Sequence, residues 1–223
     1  MYQRLILASA SPRRREILSQ AGIPFTVQVA DFDEESVQKK LAASFFGNTK
    51  GNWFAGTGDE DYPARYVKAL ALGKAQDVFM KNAGEVGVVV LGADTVVAHR
   101  GEILNKPMDI ADARRMLLRL QGDVHAVYTG VALCHKGKRL DDLPDFVNFA
   151  VRTEVVFYPM EEAEIEQYLA CGEYADKAGA YAIQGRMAAY IREINGDYYN
   201  VVGLPLSAIV QELKKLREMH EYS

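Results

Sequence analysis

The apolar run Leu5-Ile6-Leu7-Ala8 passes within a few residues into Ser11-Pro12-Arg13-Arg14-Arg15, and then into the helical spacing of Ile17, Leu18 and Ala21, closed by Gly22. A buried strand that feeds a helix this quickly points to an α/β fold, because each element must bury its apolar face against another. Ser11 suits the N-cap, Pro12 the first helical position and Gly22 the stop. The charge is the anomaly. Three arginines in a first turn oppose the helix macrodipole, at a cost of roughly a few tenths of a kcal/mol or more. Free backbone N–H groups and guanidinium forks at a helix start suit a polyphosphate, and a solvated surface run is the bland alternative.

The rest of the chain keeps this alternation. A short strand near Phe25 to Val29 leads to the acidic turn Asp31 to Glu35 and a second helix, and a further helix runs from Tyr62 or Pro63 to about Lys81 on Tyr66, Val67, Leu70 and Leu72. Between them, residues 46–63 are rich in Gly, Asn, Thr and Asp and read as a loop insertion. Val86 to Val97 is a strand pattern interrupted by Gly92-Ala93-Asp94-Thr95. Asp109 caps a helix through Leu120, strands follow at about 126–134 and 147–157, and a helix from Met160 to Ala170 stops at Gly172. Asn195-Gly196 predicts a hairpin between Ala188–Ile194 and Tyr198–Val202, and Pro205 opens a terminal helix.

Composition excludes several functions. At 223 residues the chain can bury a core as one large domain or two small lobes. A formal net charge of −4 argues against a bulk nucleic-acid binder, so any basic site must be local. Cys134, Cys171 and the four histidines have no metal-ligand spacing, which fits a reduced, cytoplasmic setting. No apolar run is long enough to span a bilayer.

The unusual residues share one logic. An ionised aspartate in an apolar run such as that around Asp94 must be hydrogen-bonded, paired or coordinated, or else sit in a turn bonded to its own backbone. Lys106-Pro107, after the hairpin-like Arg100-Gly101-Glu102, is either a positioned cation or a surface lysine. Lys74 lies on a predicted helix, where a solvated face is the default. Gln184, between Ile183 and Gly185, could read a base edge or tie a loop to backbone. Hydrolysis of a phosphoanhydride needs this set: cations for phosphates, carboxylates for a divalent metal, and a base for water.

Six ordered segments, Leu7 to Arg14, Gly92 to Val97, Lys106-Pro107, Tyr128 to Val131, Asp176 to Gly185 and Asn200 to Leu206, closely resemble the Maf family of nucleoside triphosphate pyrophosphatases. The resemblance covers nearly the whole chain. It implies one domain over residues 1–223, a central elongated mixed β-sheet flanked by helices, with two lobes and an active-site cleft between them. It further implies hydrolysis of a nucleoside triphosphate to the monophosphate and pyrophosphate in a house-cleaning role, with a divalent cation (Mg²⁺, Mn²⁺ or Co²⁺). Asp94 would be the proton acceptor, and Glu34 with Asp94 would hold the metal. Ser9, Arg14, Lys74 and Lys106 would bind substrate, with Lys68 as the substitute for Lys74. Arg13, Thr95 and Gln184 fall where the family's branches differ, and here resemble the dTTP/UTP branch. A homodimer is implied by family. The alternative is a nucleotide-binding regulator of septum formation that uses the same cleft without significant catalysis.

Overall fold

The computed structural model describes residues 4–46, 61–136 and 144–222, with side chains described up to Leu41 in the first stretch and up to Glu218 in the last. Most of the predicted 46–63 insertion therefore lies outside the described residues. Strands β1 (Arg4–Leu7), β2 (Thr26–Val27), β3 (Val88–His99), β4 (Glu102–Leu104), β5 (Val124–Lys136), β6 (Pro144–Phe157) and β7 (Ile191–Asn195) form one mixed sheet. Its order is β2-β1-β3-β5-β6-β7, with β4 beside β3. The β2–β1–β3 ladders are parallel and the others antiparallel. The expected mixed α/β sheet flanked by helices is what forms.

Helices cover both faces. On one lie α1 (Pro12–Gln20), α4 (Ile110–Leu120), α5 (Glu162–Ala170), α6 (Tyr198–Val202) and α7 (Leu206–Tyr222), around a core that includes Leu5, Leu7, Val89 and Leu91. On the other, α3 (Tyr62–Lys81) packs on Ile6, Val88 and Val90, with α2 (Glu34–Phe46) beside it. The residue-by-residue alternation of a strand sorts these two sets.

Two features of β3 position the site. First, the expected interruption is not a turn: Gly92, Ala93, Asp94 and Thr95 pair in unbroken register with Ala132, Val131, Gly130 and Thr129 of β5. Gly92 is there for close approach, since a Cβ on it would lie 2.2 Å from the Ala71 carbonyl oxygen of α3. Gly130 meets Val67 of α3 in the same way. Second, the opposite edge of β3 is shared. Val88–Leu91 pair with β1 and Val97–His99 with β4, so among the described residues no strand pairs with 92–96 on that side. The aspartate the sequence marks out sits in this gap.

The predicted Asn195-Gly196 hairpin does not form. Among the described residues β7 pairs with β6 alone, and Tyr198–Val202 is a short helix capped by Asp197, whose carboxylate accepts from Tyr199 N at 2.7 Å and Asn200 N at 3.3 Å. A side chain that satisfies free helix N–H groups has overridden the turn signal. Arg100 (φ 47°) and Gly101 (φ 84°) do make the tight β3–β4 turn.

Candidate active site

A cavity of about 910 Å³ opens at the β3 gap, lined from both faces of the sheet. Ser9, Arg13, Arg14, Glu34, Lys74, Asp94, Thr95 and Lys106 all line it. Gln184 does not: the turn that carries it buries Ile183 into the lining and leaves Gln184 exposed. The expectation that Gln184 faces the base has no support in this geometry.

Strand alternation divides the chemistry between the faces. Asp94 shares the α3 side with Gly92, and there the Lys74 ammonium donates to its Oδ1 at 2.6 Å. The same ammonium lies 3.1 Å from Glu34 Oε1, so two carboxylates converge on one cation. Lys74 and Asp94 side chains are each about 15% exposed, which strengthens the pair relative to a surface one. Lys74, and not Lys68, is thus the lysine of α3 brought to Asp94. Glu34 opens α2, where a carboxylate favours the helix dipole, and Asp33 accepts from Ser36 N at 2.9 Å in the same first turn.

Thr95 lies on the other side, beside Arg14. The Arg14 guanidinium is buried, with Nε donating to Gly203 O at 2.8 Å, Nη1 to Ser9 Oγ at 3.0 Å and Ala93 O at 2.9 Å, and Nη2 to Thr95 Oγ1 at 3.0 Å. Four of its five N–H groups are engaged, which leaves one for a ligand. Arg14 is therefore first a strut. It donates to the Ala93 carbonyl at the β3 gap and ties β1, β3 and the loop after α6 together. Burial lowers its pKa, opposed chiefly by the charge of Asp94. Ser9 Oγ accepts from Arg14 and from Ser11 N, so its own proton is available to an oxygen ligand.

Arg13 contrasts with its neighbour. Half-buried at the rim, it has no hydrogen-bond or ion-pair partner among the described residues; burial lowers its pKa, against the charges of Glu16 and Asp176. Lys106 is exposed and likewise unpaired among those residues. Sequence reasoning passed over Tyr66, read as a core residue, and Lys177, quoted without a role; both line the cavity. Burial, with the charge of Asp94, pushes the Tyr66 hydroxyl up to about 12, so it stays protonated while hydrogen-bonded to Asn105. Lys177 stands beside conformationally constrained residues just as Lys106 stands beside Pro107, which is the signal that could have found it.

Two carboxylates on one cation make a donor set that magnesium shares with water and substrate phosphates. Among the described residues no group of three or more His, Cys, Asp or Glu comes together. Asp94 and Glu34 thus fit a metal that a phosphate helps to hold, rather than a cage made by protein alone.

The family model for Maf-like proteins matches residues 4–216. The chain belongs to the Maf-like family. A Maf-like relative named dTTP/UTP pyrophosphatase, from Bacillus cereus, is 41% identical over 213 residues, covering 96% of this chain and 95% of its own. Another of that name, from Symbiobacterium thermophilum, is 46% identical over 211 residues, covering 95% and 93%. A solved nucleoside-triphosphatase, dITP/XTP pyrophosphatase, from Mycobacterium abscessus aligns with 70% of this chain and 74% of its own at 14% identity and a TM-score of 0.36, too slight a likeness to bear weight. No described helix is long and apolar enough to cross a membrane.

Proposed function

We propose that this chain hydrolyses the α–β phosphoanhydride of a nucleoside triphosphate, dTTP or UTP as its relatives are named, to the monophosphate and pyrophosphate. The observation that carries this reading is one cavity with two characters: the Asp94–Lys74–Glu34 cluster on the α3 side, and rim cations that have no ion-pair partner among the described residues.

In this account the α-phosphate lies against the carboxylate cluster and the β,γ-diphosphate toward the rim cations. Asp94 Oδ takes a proton from water as the water attacks the α-phosphorus in line, and the bond to the β-phosphate oxygen breaks. Lys74 offsets one of the two carboxylate charges, so an anionic phosphate can approach Asp94 without facing both. Ser9 donates its hydroxyl to a phosphate oxygen. Arg14 holds Ser9, Thr95 and the Gly203 backbone in place and lends one remaining N–H. Asp94 and Glu34 would hold a divalent cation, which would supply charge neutralisation at the phosphate and activation of water. Thr95 is left to influence base choice from within the cavity, and Arg13 stands with the rim cations that face the diphosphate.

The test is a pyrophosphate-release assay over common and modified triphosphates with Mg²⁺, Mn²⁺ and Co²⁺, on the native protein and Asp94→Asn. Release from pyrimidine triphosphates is expected, with Asp94→Asn down by about a thousandfold or more while still binding nucleotide. Absence of release from every triphosphate points instead to a regulator that only binds.

A further inference from the structure

The cavity's cations fall into two sets. Lys74 and Arg14 are engaged by protein, whereas Arg13, Lys106 and Lys177 have no ion-pair partner among the described residues. Among the described residues the Lys177 ammonium makes one hydrogen bond, to the Ala175 carbonyl oxygen at 3.1 Å, which leaves two donors. The backbone that carries it is fixed. Gly179 N donates to Asn105 O at 3.2 Å, which ties the Lys177 turn to the residue before Lys106. Ala180 N closes the turn on Lys177 O at 3.0 Å, and a Cβ on Gly179 would lie 2.8 Å from Val97 of β3. Asp176 (φ 58°) and Ala180 (φ 62°) hold left-handed backbone around it, a conformation that non-glycine residues adopt at some expense.

A strained, pinned turn is an extravagant way to display a solvated lysine. It is a reasonable way to hold one against like charges. Lys177 is half-buried, and its pKa is lowered by burial first and then by the positive charge of Arg13, with Lys106 adding to this and Asp176 and Glu173 opposing. Arg13 and Lys106 thus reach Lys177 electrostatically from α1 and from the segment after β4. Three cations that repel one another, without an ion pair to a carboxylate among the described residues and opposed only by the charges of nearby acidic groups such as Asp176 and Glu173, make a site that an anion of high charge density completes.

We infer that Lys177 is a third phosphate-binding cation, which with Lys106 and Arg13 grips the β,γ-diphosphate of the substrate and holds it as it leaves as pyrophosphate. This deepens the proposed hydrolysis and rests on it for the identity of the ligand. Because Lys177 serves the diphosphate end and not the nucleoside monophosphate end, its loss separates the two products.

The experiment is calorimetric titration of the full chain in magnesium buffer with inorganic pyrophosphate and, separately, with dTMP, for the native protein, Lys177→Gln and Lys177→Arg. Pyrophosphate affinity is expected to fall at least tenfold in Lys177→Gln, with dTMP affinity within twofold of native, and Lys177→Arg should recover most of the loss. The KM for triphosphate should rise in parallel. Unchanged pyrophosphate affinity in Lys177→Gln overturns the inference, as does an equal loss for both ligands, which would mark a collapsed loop. The titrations need no turnover, so a native protein that binds pyrophosphate through Lys177 but releases none from any triphosphate would count against the hydrolase reading alone.

Discussion

Two adjacent arginines of α1, alike in sequence, do different work because of the helix geometry beneath them. Arg14 is turned into the sheet gap with four of its five N–H groups on neutral oxygens, while Arg13 stays at the rim without an ion-pair partner among the described residues. Arg14→Lys keeps the charge but loses the fork, so one ammonium cannot replace the guanidinium at both Ala93 O and Gly203 O, the latter keeping only a long 3.5 Å contact from Thr95 Oγ1. A loss of about 2 to 4 kcal/mol is expected from urea denaturation. An unaffected denaturation midpoint with raised KM would make Arg14 a phosphate ligand alone. At this scale the sequence was partly legible. Asp94 could be picked out because a carboxylate in an apolar run needs a partner, and Lys74 supplies it. Gln184 could not be placed, since flanking Ile183 and Gly185 do not say which side of an irregular turn meets the cavity.

Among the elements, α3 and β3 set the distance between Lys74 and Asp94. The helix meets β3 at Gly92 and the neighbouring β5 at Gly130, backbone to backbone, where neither glycine interposes a side chain. Gly92→Ala would drive a Cβ into Ala71 and Ala75, whose positions α3 cannot yield without carrying Lys74 away. Destabilisation of about 3 kcal/mol is expected, with kcat falling further than the unfolded fraction explains; thermal melts and kinetics on one preparation check this. Glycine in a strand pattern signals either a break or a close approach, and local sequence does not choose between them. The same ambiguity misplaced Asn195-Gly196, where the decisive residue was the cap Asp197 one position later.

Over the whole molecule, the alternation of strands and helices was legible, but the β3 gap was not. It arises because β1 and β4, far apart in sequence, share one edge of β3 and leave residues between them unpaired. Stability also has a molecule-wide pH dependence centred on the buried His125, whose Nε2 lies 2.8 Å from the Tyr181 hydroxyl and whose ring packs edge-on against Phe157. Burial, aided by the charge of His99, lowers its pKa to about 3. The unfolded chain, near the ordinary value of about 6.5, takes the proton first. The stability this histidine contributes is therefore complete above about pH 6.5 and is lost as pH falls toward about 3, at up to about 1.4 kcal/mol per pH unit. Asp123, held at about 2 chiefly by His99, acts only below its ordinary value near 4, outside the upper part of that window. Melting temperature should fall between about pH 6.5 and pH 4.5 in the native protein, and less steeply in His125→Phe; equal slopes would remove His125 from the account.

In the proposed reaction water attacks the α-phosphorus beside Asp94 and the diphosphate leaves toward the rim cations. Hydrolysis of dTTP in ¹⁸O-labelled water, with mass analysis of both products, tests this most directly. The label should appear in dTMP, with pyrophosphate unlabelled. Label in pyrophosphate, or release of labelled orthophosphate with dTDP, would contradict it.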